Sequence, residues 1–307
     1  MALKDDFLVY LESHGISQSQ AAKALGYSPA VITAYKQGTY AGRVDKLEAD
    51  IASWLERELT RSTILDIPIL ETTLLKQVSS ACDIAYEEKD IAVIVGYAGC
   101  GKSVALRDYV RRHQDRVYYL EANKATSLHV LIMRLGEMLG LSLKGNAADV
   151  TARIGAFLKG RDTLLIVDQA DDLPDSALEY LRQIIFDEGQ TGLVLVGLTK
   201  LAGQIMNARN DHDQLLSRVG LYVRLPALEV EDISRVIRNV WPSLNNEVEK
   251  TFVEKSTLRM RAENRPSLRR LTKIMKRANR IMYKNKLDLP TTEIVEHAAR
   301  FIMNQEL

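Results

Sequence analysis

Residues Gly96, Tyr97, Ala98, Gly99, Cys100, Gly101, Lys102 and Ser103 read GYAGCGKS, a spacing of glycines, lysine and hydroxyl suited to holding phosphate. Glycine at 96, 99 and 101 lets the backbone curl until its N–H groups face one anion, at the positive end of a following helix. Lys102 would reach the β- and γ-phosphates of a nucleotide, and Ser103 would place its hydroxyl on Mg²⁺. The motif G-x-x-x-x-G-K-[ST] also demands a strand before it and a helix after it. The β-branched run 91–95 (IAVIV) and the segment Val104–Arg112 meet that demand, with Val104 closing the binding loop.

A nucleotide site of this kind needs a second acid. The buried run 163–167 (TLLIV) ends in Asp168, where a carboxylate would orient the Mg²⁺ shell beside Ser103. The next residue, where a glutamate would polarise the attacking water, is Gln169. An amide can hold a water but is a very poor base. Three accounts stay open: a chain altered to hold ATP without turning it over, a naturally slow ATPase whose bound state is its signal, or a carboxylate supplied by Asp171 or Asp172. On the first two, Gln169→Glu is expected to raise turnover. Thr199, after the run 192–198 (GLVLVGL), stands where a polar group would sense the γ-phosphate. Arg218, in QLLSRVG, resembles an arginine finger, and its distance along the sheet from its own loop implies action across a subunit interface. In 265–271 (RPSLRRL), Arg269 is the choice for a second sensor of the nucleotide.

The elements that must position these residues follow from the apolar pattern. Strands are expected at 91–95, 116–121, 163–167, 192–198 and 221–225, and they alternate with helices at 73–88, 104–112, 127–139, 150–158 and 176–186. That alternation argues an α/β fold with a parallel five-stranded sheet covered on both faces. After Pro226 the pattern is helical to the end, giving a C-terminal helical lid domain. Residues 1–59 are a separate helical domain, 60–72 a linker broken by Pro68, 73–226 the ATPase core, and 227–307 the lid.

Within the first domain, Ala22, Gly26 and Ile32 stand at helix-turn-helix spacing: a small residue where helices touch, a glycine in the turn and a β-branched seat. The match resembles the phage-repressor class of such modules. Its second helix offers Ser28, Thr33, Tyr35 and Lys36, thin equipment for reading base edges, so the expectation is either weak, mostly non-specific DNA contact through Thr33 and Lys36 or a protein-docking role. Trp54 should lie on the apolar side of a helix over 47–59. A stronger candidate is the stretch 259–286, with eleven basic residues against one acidic. Lys273, Lys276, Arg277 and Arg280 recur there at helical spacing and would face DNA phosphates.

Composition bounds the rest. The 307 residues are 46% hydrophobic and 26% charged with a net charge of +1, so affinity for nucleic acid must come from local patches. Two cysteines exclude a disulfide framework and fit a reducing cytosol. MALKDD lacks the order of a signal peptide, and no apolar run approaches the ~20 residues that span a bilayer.

With these residues in place, the chain resembles the phage Mu transposition protein B family of AAA+ ATPases. The helix-turn-helix, the linker DIPILET, GYAGCGKS, LLIVDQAD and the basic C-terminal helices carry the likeness over nearly the whole length. The resemblance implies an AAA+ P-loop core, the cofactors ATP and Mg²⁺, and Ile67–Thr72 packing near the adenine. It also implies non-specific binding to duplex DNA as homo-oligomers or helical filaments. Such a protein captures target DNA for a transposase, which in turn stimulates hydrolysis, in a bacterial host's cytoplasm without membrane partners. Gln169 departs from the pattern and puts the hydrolytic half of that cycle in question. Other classes fit parts of the sequence: an ATP-switched regulator led by the helix-turn-helix, a helicase-loader-like ATPase, or a scaffold in which ATP is structural.

Overall fold

The computed structural model describes residues 2–13, 15–62, 65–206, 213–259 and 264–303. Arg261, part of the basic run, lies outside them. The chain clusters into two compact units: Met1–Asp66 with Met275–Pro290, and Ile67–Ile274 with Thr291–Leu307.

In the smaller unit, α1 (Ala2–Ser13), α2 (Gln18–Leu25), α3 (Pro29–Gln37) and α4 (Val44–Ser62) surround a core of Phe7, Ala21, Ala22, Ile32, Leu47, Ile51 and Trp54. Ser17 starts α2 as one half of a capping box with Gln20, satisfying two otherwise orphaned amides. Gly26 ends α2 at φ 76°, a conformation that costs any side-chain-bearing residue. The helix-turn-helix spacing therefore folds as its residue types dictate. The Trp54 ring meets Phe7 and Tyr10 edge-on, with centroids 5.7 and 5.8 Å away.

The larger unit opens with α5 (Thr73–Glu87) and then alternates: β1 (Ile91–Val95), α6 (Lys102–Arg112), β2 (Val117–Glu121), α7 (Leu128–Met138), α8 (Ala147–Leu158) and β3 (Leu164–Asp168). Next come α9 (Asp175–Tyr180), continued by a π-helical segment over Leu181–Glu188, then β4 (Gly192–Gly197), α10 (Thr199–Met206), α11 (Asp213–Leu216) and β5 (Val219–Arg224). The five strands form one sheet in the order β2-β3-β4-β1-β5, with every pairing parallel. Alternate residues of each central strand enter different cores. Val93, Val95, Leu165, Val167 and Leu195 pack with α7, α8, α9 and α10 on one face. Ala92, Ile94, Ile166, Val194 and Val196 pack with α5 and α6 on the other. Strands buried on both faces have no polar side, which is why they read as unbroken apolar runs.

Register sets the site. Val95 lies beside Gly197, Val196 beside Asp168, and Asp168 beside Glu121. The carboxyl ends of β1, β2, β3 and β4 thus line up along one edge of the sheet.

Beyond β5 come α12 (Val230–Val240), α13 (Asn246–Ser256), β6 (Thr257–Arg259), β7 (Asn264–Pro266), α14 (Leu268–Lys284) and α15 (Thr292–Met303). The expectation of an all-helical C-terminal region is corrected here, since β6 and β7 form an antiparallel hairpin with Thr257 beside Pro266. Pro266 donates no amide and so cannot continue a helix, while the Ser267 N–H bonds back to the Ser256 carbonyl at 3.2 Å. Both cysteines are buried free thiols. No described helix is long and apolar enough to cross a membrane.

Candidate functional site

The glycine loop leaves β1 with the Gly96 amide still bonded to the Gly197 carbonyl, 3.2 Å away. It turns through Gly99 at φ 79° and Gly101 at φ 110° and enters α6 at Lys102. Lys102 and Ser103 therefore occupy the first turn of the helix, earlier than its expected start at Val104. No side chain caps that turn, so its end is chemically fitted to an anion. Cys100 is buried, Tyr97 and Ser103 are half-buried, and Ala98 and Val104 are exposed. The Lys102 ammonium, 8% exposed, donates to the carbonyls of Gly96 and Tyr97 at 2.8 and 2.9 Å. These are the contacts a phosphate at this loop has to compete with.

The segment leading into α14 closes over the same loop. The Leu268 amide donates to the Gly99 carbonyl at 3.0 Å, and the Arg265 guanidinium stacks on the Tyr97 ring, 3.7 Å from its centroid. Such a cation–π contact contributes about 0.5–2 kcal/mol. Arg269 is exposed on the first turn of α14, its Cβ only 3.6 Å from where a Cβ on Gly99 would stand. Its neighbour Arg270 is buried and donates through Nε to the Lys255 carbonyl at 2.6 Å. Of the two arginines, Arg269 is the one placed at the loop.

On the sheet edge Asp168 is 1% exposed. Its Oδ2 accepts the Tyr119 hydroxyl at 2.9 Å, and its Oδ1 accepts the Gln169 amide at 2.9 Å. Burial and the neighbouring Asp168 push the Tyr119 phenol well above its usual range, so it is a donor at any physiological pH. Gln169 takes a left-handed backbone, φ 57°, which costs a side-chain-bearing residue about 1–3 kcal/mol. Its side-chain amide donates to Glu121 Oε1 at 2.6 Å, and Glu121 Oε2 pairs with Arg107 at 3.0 Å.

Asp171 and Asp172 are engaged elsewhere. Asp171 Oδ1 accepts the Leu198 amide at 3.0 Å and its Oδ2 pairs with Lys200 at 3.0 Å, while Asp172 pairs with Lys200 at 3.2 Å. The hydrogen bond to Asp171, helped by Asp172, raises the Lys200 pKa against the lowering effect of burial.

Thr199 is exposed at the start of α10, two residues past β4. Arg218 precedes β5, beside the Ile91 end of β1, so it lies at the opposite end of the sheet from its own loop. It is mostly exposed and pairs with Asp187 at 3.4 Å. On α14 the apolar side of Leu271, Ile274, Met275, Ala278 and Met282 is buried. Lys273, Lys276 and Arg280 are exposed and Arg277 is half-buried. In α3, Lys36 is exposed. Thr33 bonds Gln18 and the Pro29 carbonyl, both at 3.0 Å, and Tyr35 is buried with its hydroxyl on Glu48 at 2.9 Å. Tyr35 is thus a core residue and not a reader of bases.

Glu121, Tyr119 and Arg265 are the residues that sequence reasoning missed at this site. The first two lie in the last three residues of an expected strand, and only the strand order places them beside Asp168.

The fold and the alignment of loop and acid on one sheet edge define an AAA+ P-loop ATPase fold. A family model described as an AAA domain matches residues 85–205. The chain is similar in fold to the Aeropyrum pernix ORC1 protein solved in complex with DNA, at a TM-score of 0.62 and 15% identity over 79% of this chain and 69% of that one. It is also similar to the Thermotoga maritima RuvB Holliday junction branch migration motor, at a TM-score of 0.52 and 17% identity over 78% and 73%.

The resemblance to the phage Mu transposition protein B family holds. The chain is 28% identical over 251 residues to the Mu-like prophage FluMu DNA transposition protein B of Haemophilus influenzae, covering 78% of this chain and 85% of the relative. It is 25% identical over 244 residues to the ATP-dependent target DNA activator B of Escherichia phage Mu, covering 78% and 77%.

Proposed function

We propose that this chain is an ATP-dependent, largely non-specific DNA-binding ATPase that assembles on duplex DNA as oligomers or helical filaments and captures target DNA for a transposase. The observation that carries the reading is α14. Its first amide holds the Gly99 carbonyl of the phosphate loop, and its exposed side carries Lys273, Lys276 and Arg280. One helix therefore touches the nucleotide loop and presents the basic stripe. The names of the relatives support the same reading.

In this reading Gly96–Val104 wraps the phosphates, Lys102 leaves its loop carbonyls for the β- and γ-oxygens, and Arg269 approaches from α14. Ser103 and Asp168 suit Mg²⁺. Both offer hard oxygens, and among the described residues no group of three or more His, Cys, Asp or Glu is placed to hold a metal ion by itself. Mg²⁺ is commonly held by one or two protein oxygens, with phosphates and water completing its shell. When bound it supplies neutralisation of the charge developing on the phosphates. Thr199 senses the γ-phosphate, and Arg218 acts on a neighbouring subunit's nucleotide. Thr33 and Lys36 play at most a minor part on DNA, since Thr33 already spends its hydroxyl inside the domain.

Electron microscopy with duplex DNA tests this. Ordered assemblies should appear with ATP, disappear without it, and be lost in Lys102→Ala. Binding confined to one short consensus, with no ATP-dependent assembly, would transfer the function to the helix-turn-helix and overturn the reading.

A further inference from the structure

We infer that Glu121 is the carboxylate that takes the proton of the attacking water, so that acid and amide are exchanged between β2 and β3 in this site. The inference rests on the ATPase reading and names the group that performs its chemical step.

Geometry comes first. Glu121 is the last residue of β2 and lies in register with Asp168, and neighbouring strands run about 4.8 Å apart. Its carboxylate therefore reaches the same sheet edge as the acid assigned to the metal. The Gln169 amide donates to it at 2.6 Å, and this polarity leaves only Glu121 able to accept a proton. Gln169 contributes orientation and no basicity.

What separates Glu121 from the other nearby carboxylates is exposure, its side chain being 40% exposed against 5% for Asp171 and 19% for Asp172, while Asp168 is buried and assigned to the metal. Asp168 receives the Tyr119 hydroxyl and the Gln169 backbone amide. Asp171 receives the Leu198 amide and Lys200, and Asp172 receives Lys200. Glu121 has one bond on each oxygen, from Gln169 and from the mostly exposed Arg107. A carboxylate offers about four lone-pair sites, which leaves room for a water.

The step balances. The water oxygen bonds to the γ-phosphorus, and the bond from that phosphorus to the β–γ bridging oxygen breaks. ADP leaves with the electron pair. One water proton passes to Glu121 and from there to solvent.

The test is steady-state ATP turnover with saturating duplex DNA, alongside nucleotide affinity by titration. Glu121→Gln should lower turnover by about 10²–10⁴-fold, the usual worth of a positioned base, with affinity changed less than about threefold. Gln169→Glu sets acid against acid and should lower turnover too, reversing the expectation drawn from the sequence. The double variant Glu121→Gln, Gln169→Glu restores one acid and one amide and should recover at least about tenfold over Glu121→Gln.

Wild-type turnover that Lys102→Ala abolishes but Glu121→Gln leaves within about threefold would overturn Glu121 and spare the ATPase reading. No wild-type turnover with DNA would overturn both. If Glu121→Gln also loses nucleotide binding, the double variant decides. Recovery supports the exchange, and failure to recover overturns it.

Discussion

An alanine at position 99 would place its Cβ 2.6 Å from the Ser267 hydroxyl oxygen, on a backbone already at φ 79°. Two costs add there, one steric and one conformational. Gly99→Ala should destabilise the larger unit by about 1–3 kcal/mol, read by denaturant unfolding. Adding Ser267→Ala should return the steric part but also forfeits the bond its hydroxyl accepts from the Arg270 amide at 3.3 Å, so a double variant as stable as the parent would contradict this account. The residue types of the loop announced their chemistry in sequence, because glycine, lysine and hydroxyl at fixed spacing have few other uses. Glu121 did not, because its meaning depends on which strand lies beside β3. Tyr35 misled in the opposite direction. An aromatic on a second helix suits base contact as well as core packing, and only its burial, with its hydroxyl on Glu48 of α4, separates the two.

At the scale of elements, α14 carries the sharpest expectation. Lys276 and Arg280 are exposed one turn apart, whereas Arg277 is half-buried, so the exposed pair should be tested. If both meet phosphates, Lys276→Glu with Arg280→Glu should flatten the plot of log affinity against log salt by about 1.8, or ~0.9 for each lost contact. Affinity should fall alike on unrelated duplexes. An unchanged slope clears this face of DNA contact. The five strands were legible to within two residues because burial on both faces leaves each one uniformly apolar. The β6–β7 hairpin was not legible, since strands of three residues have no period to detect. The early start of α6 was hidden too, because glycine at its N-cap reads as loop.

For the whole molecule, the position of Arg218 is decisive. It stands at the entry to β5, while the phosphate loop leaves the far end of β1, a strand of five residues or about 17 Å away. Within one chain it cannot reach the phosphates by side-chain motion alone, and its ionic partner there is Asp187. Arg218→Ala should therefore bind ATP normally yet fail to assemble cooperatively on DNA. Mixed with Lys102→Ala, it should regain turnover above either variant alone, because some interfaces then pair an intact loop with an intact arginine. Mixtures that never exceed the separate variants would remove Arg218 from that role.

The contact between Glu121 and Gln169 also ties two codons to a joint history. Drift at either position alone yields two acids facing each other or two amides, and both combinations lose what the pair provides. Lineages should therefore change the two together or not at all. Across a deep alignment of relatives, positions 121 and 169 should carry one acid and one amide between them, in either order. Sequences with acids at both should be rare, and this pairing should survive in branches where the rest of β2 has been rewritten.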